Sequence, residues 1–237
     1  PALLMAMQNG YRLPDYIVSS AYVNVNNEKM SKSKGNLISA NELLELFEPD
    51  TLRFYLTFKG PESNDINCSL DDIRQTHNKF LAGGLGNFVN RNLSFINKKF
   101  DCVIEEAEID SKIIELTQKY FDLVGQLFEK GELKAATSHI VEYINLANKY
   151  YDSQEPWKQV KENIDEFKKT TYTCAYIINN LSNMIYPVIP NAAKKIKKML
   201  SLDDYVWAET KIQGDLKVED LQILFNVFDL DEKKIKI

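Results

Sequence analysis

Residues that commonly build metal and redox centres are scarce in this chain. Its 237 residues include two histidines, His77 and His139, and three cysteines, Cys68, Cys102 and Cys174. An odd number of widely spaced cysteines implies no disulfide framework and points to a reducing, cytoplasmic setting. With so few histidines and no paired cysteines, no zinc site is expected, and no metal ligands are assigned. Long apolar runs are missing too, so no membrane span and no membrane partner are expected. The short apolar start, Pro1 to Gln8, lacks the basic lead of a signal peptide. An initiating methionine is also absent, as expected of a piece cut from a longer protein. Finally, there is no cationic excess: 29 basic residues face 34 acidic ones, for a net charge of −5. That balance excludes a nonspecific binder of polyanions, which needs a cationic surface.

What remains is ample for folding. Apolar residues make up 44% of the chain and aromatic residues 11%, enough to bury a real core. The net charge also conceals a pattern. Between Asn78 and Phe100 stand Lys79, Arg91, Lys98 and Lys99 with no acid, and an acidic stretch follows from Asp101 to Glu115. One long helical segment of an acidic chain is therefore locally cationic.

Residues 1–28 read as loops and short extended pieces, with Ile17-Val18 and Tyr22 to Val25 as strand candidates. A lysine- and serine-rich loop occupies 29–36. Helical spacing covers Ala40 to Phe47 and Asp50 to Lys59, and Gly60 to Asn67 is a turn-rich connector. From Ser69, a helix cap with Asp72 in the first turn, the pattern is helical almost to residue 200. Gly83, Gly84 and Gly86 interrupt it, each costing roughly 1 kcal/mol against alanine, which suggests close approach of a neighbouring helix. Two amphipathic helices, Ile109 to Lys130 and Glu132 to Tyr151, meet at Gly131. Pro156 suits the first turn of another, with Asp152 and Ser153 as possible caps. Phe167 to Ile185 and a shorter helix from Pro190 follow, the latter carrying a basic face of Lys194, Lys195, Lys197 and Lys198. Beyond Leu200 the text is mixed and acidic.

The sharpest chemical signal is Lys29-Met30-Ser31-Lys32-Ser33-Lys34-Gly35-Asn36. Lysines alternating with hydroxyls ahead of a glycine can wrap a polyphosphate, although the glycine spacing of a P-loop is absent. Residue chemistry alone leaves a solvated basic loop as the simpler reading. Lys29 to Ser33, however, matches the KMSKS signature, and on these residues the chain resembles the class I aminoacyl-tRNA synthetases. The resemblance implies that Lys29, Ser31, Lys32 and Ser33 form the catalytic loop that closes over ATP, with Mg²⁺ as its counter-ion. Lys32 would hold the phosphates. Charge growing on departing pyrophosphate is what such a loop stabilises, each contact contributing about 3 kcal/mol.

The flanking segments Pro1 to Leu4, Ala21 to Val23, Asp50 to Leu56 and Gly60 to Asp65 look like those of methionyl-tRNA synthetases. Leu85 to Asn92 is similar to the anticodon-reading helix of that family. Asn87 and Arg91, four apart, share a helical face that Ser94 and Lys98 extend. Amide and guanidinium groups suit the edges of unstacked bases, although the same residues also describe a solvated stripe. Glu155-Pro156-Trp157 completes the resemblance: an indole at a helix start can stack a splayed base, or it can be core. By resemblance Asn87, Arg91 and Trp157 read the CAU anticodon of tRNA(Met). Cys68 and Leu70 depart from the family, standing where aromatics are common.

These observations imply a mainly α fold, an α-helical anticodon-binding bundle preceded by the end of a class I Rossmann-type catalytic domain and a small α/β stem-contact region. The expected divisions are 1–28 for the catalytic end, 29–68 for the KMSKS loop and stem-contact region, 69–200 for the bundle and 201–237 for an extension packing back on it. The parent would join methionine to its tRNA. No HIGH-type sequence or methionine pocket occurs, so this piece alone is expected to be inactive. Two alternatives stay open, a synthetase of the leucyl, isoleucyl or valyl type and a non-catalytic tRNA-binding module.

Overall fold

The computed structural model describes residues 1–25, 27–31, 39–203 and 205–229. The fold is mainly helical, as expected. Its first element departs from the sequence reading: Ala2–Gln8 form a helix, α1, rather than a loop. Ala, Leu, Met and Gln are all strong helix formers, and that local preference decides the conformation although α1 buries none of its residues. Ile17 and Val18 form no strand and are exposed. The second expected strand does form. Val23–Val25 (β1) pairs antiparallel with Glu28–Lys29 (β2) and parallel with Ile66–Cys68 (β3), giving the order β2-β1-β3.

Two short helices lie beside this sheet. Ala40–Leu46 (α2) opens with a capping box in which Ser39 and Glu42 satisfy each other's backbone N–H groups. Pro49–Phe58 (α3) places its proline in the first turn, where no N–H is needed. Phe47, Leu52, Tyr55, Cys68 and Ile73 form a small core here, with Phe228 packed against it from the far end of the described chain. Next to Leu52 and Tyr55 on α3, Phe54 belongs instead to the large core, so one helix serves both.

A long rod follows, made of Leu70–Thr76 (α4), a π-helix over His77–Gly86 and Asn87–Lys99 (α5). Ser69 caps it by accepting from the Asp72 N–H, as expected. The glycines have two reasons to be there. Neighbours do come close: a Cβ on Gly84 would lie 3.6 Å from Ile144, and one on Gly86 would lie 3.6 Å from Phe225. The wide π turn adds a second, since a Cβ at Gly83 or Gly86 would sit 3.0 or 3.1 Å from the carbonyl oxygen of Asn78 or Leu81.

Ser111–Glu129 (α6) and Leu133–Gln154 (α7) pack as a hairpin across Gly131, whose φ of +76° favours glycine. Pro156–Glu162 (α8), Ile164–Ile185 (α9) and Pro190–Met199 (α10) complete the bundle. From Thr170 to Ile185 every residue of α9 is buried, making it the central post of the large core. Asp152 and Ser153 do not cap α8. Glu155 takes that place in a left-handed conformation, φ +46°, without a side-chain cap. Nor is the basic face of α10 wholly solvated: Lys197 is buried, its Nζ donating to Asn179 Oδ1 at 2.7 Å.

Helix α3 grips the turn between α9 and α10. Buried Asp50 accepts the Ala192 N–H at 2.7 Å, a cap supplied from another helix, while Arg53 donates to the carbonyls of Pro187 and Val188 at 2.8 and 2.7 Å. Burial holds the Asp50 carboxyl above its ordinary value despite that cap.

After α10 the chain runs as a strap with little regular structure. Leu216–Lys217 (β5) pairs with Val103–Ile104 (β4), and Leu224 and Phe225 are buried in the large core. Asparagines hold its irregular backbone by imitating a strand partner. Asn180 donates to the Thr210 carbonyl at 2.9 Å and accepts from its N–H at 2.8 Å. Asn78 does the same for Phe228, at 2.9 and 2.8 Å. Among the described residues no helix is long and apolar enough to cross a membrane.

Candidate nucleic-acid interface

Arg91 emerges from α5 half-buried, one turn after Asn87. Its guanidinium lies over the Tyr151 ring, Cζ 4.4 Å from the ring centroid, and Nη2 donates to Asp152 Oδ1 at 2.7 Å. Tyr151 and Asp152 occupy the last turn of α7. The left-handed Glu155 then redirects the chain so that Trp157 enters in the first turn of α8, its ring centroid 6.4 Å from that of Tyr151. Three helices thus bring a cation and an indole together across one tyrosine.

Exposure differs among these residues. Trp157 is 40% exposed, which rejects the core alternative and leaves ring surface for a base to stack on. Asn87 is exposed, so its amide can meet base edges. Tyr151 is 1% exposed, and burial pushes its hydroxyl titration upward. The Arg91–Asp152 pair is partly open to water, so it contributes at most about 1 kcal/mol and can be exchanged for other partners. Ser94, expected to extend the face, already donates to Asn90 Oδ1 at 3.1 Å, whereas Lys98 is exposed.

Sequence reasoning missed Tyr151 and mistook Asp152 for a cap. Tyr151 fits the apolar period of α7 and so reads as core. Its only signal is an aromatic-acid pair shortly before Glu155-Pro156-Trp157.

The lysine-serine loop is a separate matter. Lys29 ends β2 with its Nζ 4.1 Å from the Tyr22 ring centroid, and Ser31 follows the strand. Lys32 and Ser33 lie outside the described residues. The loop's described end belongs to the small sheet and Arg91 and Trp157 to the bundle, so the elements present two sites. No group of three or more His, Cys, Asp or Glu side chains among the described residues is placed to hold a metal ion.

Comparison with known proteins divides the chain elsewhere, between Leu93 and Ile104, so that Asn87 and Arg91 fall with the loop and Trp157 with the later helices. Residues 1–93 match a family model described as class I (M) tRNA synthetases, and residues 104–236 match the anticodon binding domain of methionyl tRNA ligase. A methionine–tRNA ligase of Streptococcus pneumoniae (strain CGSP14) is 36% identical over 235 residues, covering 99% of this chain and 42% of the relative. Methionine–tRNA ligase 1 of Alkaliphilus oremlandii (strain OhILAs) is 33% identical, covering 97% of this chain and 42% of the relative. The chain therefore spans about two fifths of the length of these relatives. Among solved structures, Mycobacterium tuberculosis methionyl-tRNA synthetase in complex with methionyl-adenylate superposes with a TM-score of 0.82 at 24% identity, over 94% of this chain and 46% of that one. Its apo form gives 0.83 at 21% identity, over 96% and 46%. These two establish likeness of fold. The match of residues 104–236, more than half of the chain, carries the assignment further: this chain belongs to the methionyl-tRNA synthetase family.

Proposed function

We propose that this chain is the part of a methionine–tRNA ligase that reads the CAU anticodon of tRNA(Met) and carries the KMSKS loop. The observation behind the first half is the joining of Arg91 and Trp157 across Tyr151, with Asn87 one turn away on the same helix. An indole stacks an unstacked base, a contact of about 1–3 kcal/mol, while the amide and guanidinium discriminate base edges by hydrogen bonding. Arg91 exchanges its bond to Asp152 for one to RNA, so the net gain is small and depends on the right base being present.

In the complete enzyme, Lys29, Ser31, Lys32 and Ser33 close on ATP, which enters with Mg²⁺. Lys32 meets the phosphates as methionine carboxylate attacks and pyrophosphate departs, and the resulting adenylate passes methionine to tRNA. On this reading, 1–28 ends the catalytic domain, 29–68 contacts the tRNA stem, 69–200 reads the anticodon and 201–237 braces the bundle, all in the cytoplasm. The chain alone does not aminoacylate.

A fluorescent RNA hairpin with CAU in its loop should bind the 237-residue chain more tightly than the same hairpin with those bases permuted. Trp157→Ala should weaken CAU binding by about tenfold, with the helical circular-dichroism signal unchanged. Equal affinity for both hairpins in the parent chain would overturn the proposal.

A further inference from the structure

Arg91 is a long side chain on a partly open surface, and such groups normally sample many rotamers that binding must freeze out. Here its guanidinium already rests on a ring that cannot itself move far. Tyr151 is 1% exposed, with the edge of Phe88 toward it at 6.4 Å between centroids and an interplanar angle of 87°. The same ring stands at 6.4 Å and 47° from the Trp157 indole. Its hydroxyl is buried with Arg91 as its charged neighbour, and its ring face carries the guanidinium.

We propose that Tyr151 is a positioning residue of the anticodon-reading surface: its buried ring holds the Arg91 guanidinium flat by a cation–π contact and braces the Trp157 indole, so that the two readers meet RNA as one preset unit. This rests on the anticodon-reading function proposed above and adds the residue through which α5 and α8 act together. Asp152 holds Nη2 only until RNA replaces it, whereas the Tyr151 ring stays beneath the guanidinium through the exchange. A planar cation set in this way loses less freedom when it meets a base edge than a lysine or a free arginine would.

The test uses the whole chain and the CAU hairpin. Tyr151→Leu, which keeps apolar bulk but loses the π face, should weaken binding by about fivefold or more, and Tyr151→Phe should restore it. In an Arg91→Ala background, Tyr151→Leu should cost clearly less than in the parent chain, because only its effect through Trp157 remains. NMR gives an arm independent of RNA: ring current should shift the Arg91 Nε–H resonance upfield in the parent chain and in Tyr151→Phe, and Tyr151→Leu should abolish the shift. Additive losses with Arg91→Ala, a Phe variant as weak as Leu, or an unshifted Arg91 resonance in the parent chain would each overturn the positioning role. The last outcome needs no variant, so a poorly folding Tyr151→Leu does not spare the idea. Should Arg91→Ala and Trp157→Ala both leave the CAU preference intact, the anticodon reading itself falls, whatever Tyr151 does.

Discussion

His77 is buried between two partners from distant parts of the chain. Its Nδ1 lies 2.8 Å from Thr51 Oγ1 and its Nε2 lies 2.9 Å from the Asn226 carbonyl. A carbonyl only accepts, so Nε2 carries the proton and Nδ1 receives the Thr51 hydroxyl. Burial holds the imidazole below its usual value of 6.5, keeping the folded form neutral where the unfolded chain is charged. Below that usual value the unfolded state therefore binds more protons, and stability falls with pH until the folded histidine also titrates. Urea midpoints at about pH 7.5 and about pH 5.5 should differ more for the parent chain than for His77→Gln, whose amide can still donate to Asn226. Identical pH slopes would remove His77 from the acid response. Asp50 works with the opposite sign, since burial raises its carboxyl, but it is common to both chains and cancels in the comparison.

At the scale of elements, the strap is the segment whose order depends most on single side chains. Asn180 supplies both a donor and an acceptor to Thr210 from inside the core. Asn180→Ala should cost about 1–3 kcal/mol by leaving the Thr210 N–H unpaired, while its carbonyl keeps a long bond from Asn179. Limited proteolysis should then cut near Thr210 before the helices are attacked; an unchanged cleavage pattern would mean that apolar packing alone holds the strap. Such details are where sequence reasoning runs short. The helices were legible because Ile113, Thr117, Tyr120 and Val124 fall on one face at helical spacing, and the Ser69 cap was legible from its acid three residues on. The strap was not, because its backbone pairs with asparagine side chains instead of a strand and leaves no alternation of polar and apolar residues. The π-helix was visible only as misplaced glycines, since a wider turn has no residue pattern of its own beyond the space it requires. In the candidate site Asn87, Arg91 and Trp157 could be chosen by resemblance. Tyr151 could not, because a buried aromatic on a core-facing period carries no mark of what lies on its other side.

For the molecule as a whole, α3 decides whether the two cores are separable. It lends Phe54 to one and Leu52 and Tyr55 to the other, and its Asp50 and Arg53 hold the α9–α10 turn. The small core cannot come apart without undoing that grip, so one cooperative transition is expected. Cys68 is buried in the small core and Cys174 in the large one, giving each a native reporter. Thiol labelling followed by mass spectrometry across a urea series should expose both at the same midpoint, and an earlier midpoint for Cys68 would show that the small core melts alone. The strap has one more consequence. Its closing contacts join His77 to Asn226 and Asn78 to Phe228, across 149 and 150 residues of chain. Loops of that span close slowly and contribute nothing until their last residues are present. During synthesis, then, helices can form as they leave the ribosome, but neither core can be sealed before the final strap residues emerge, and until then the nascent chain offers apolar surface to whatever chaperone stands nearest.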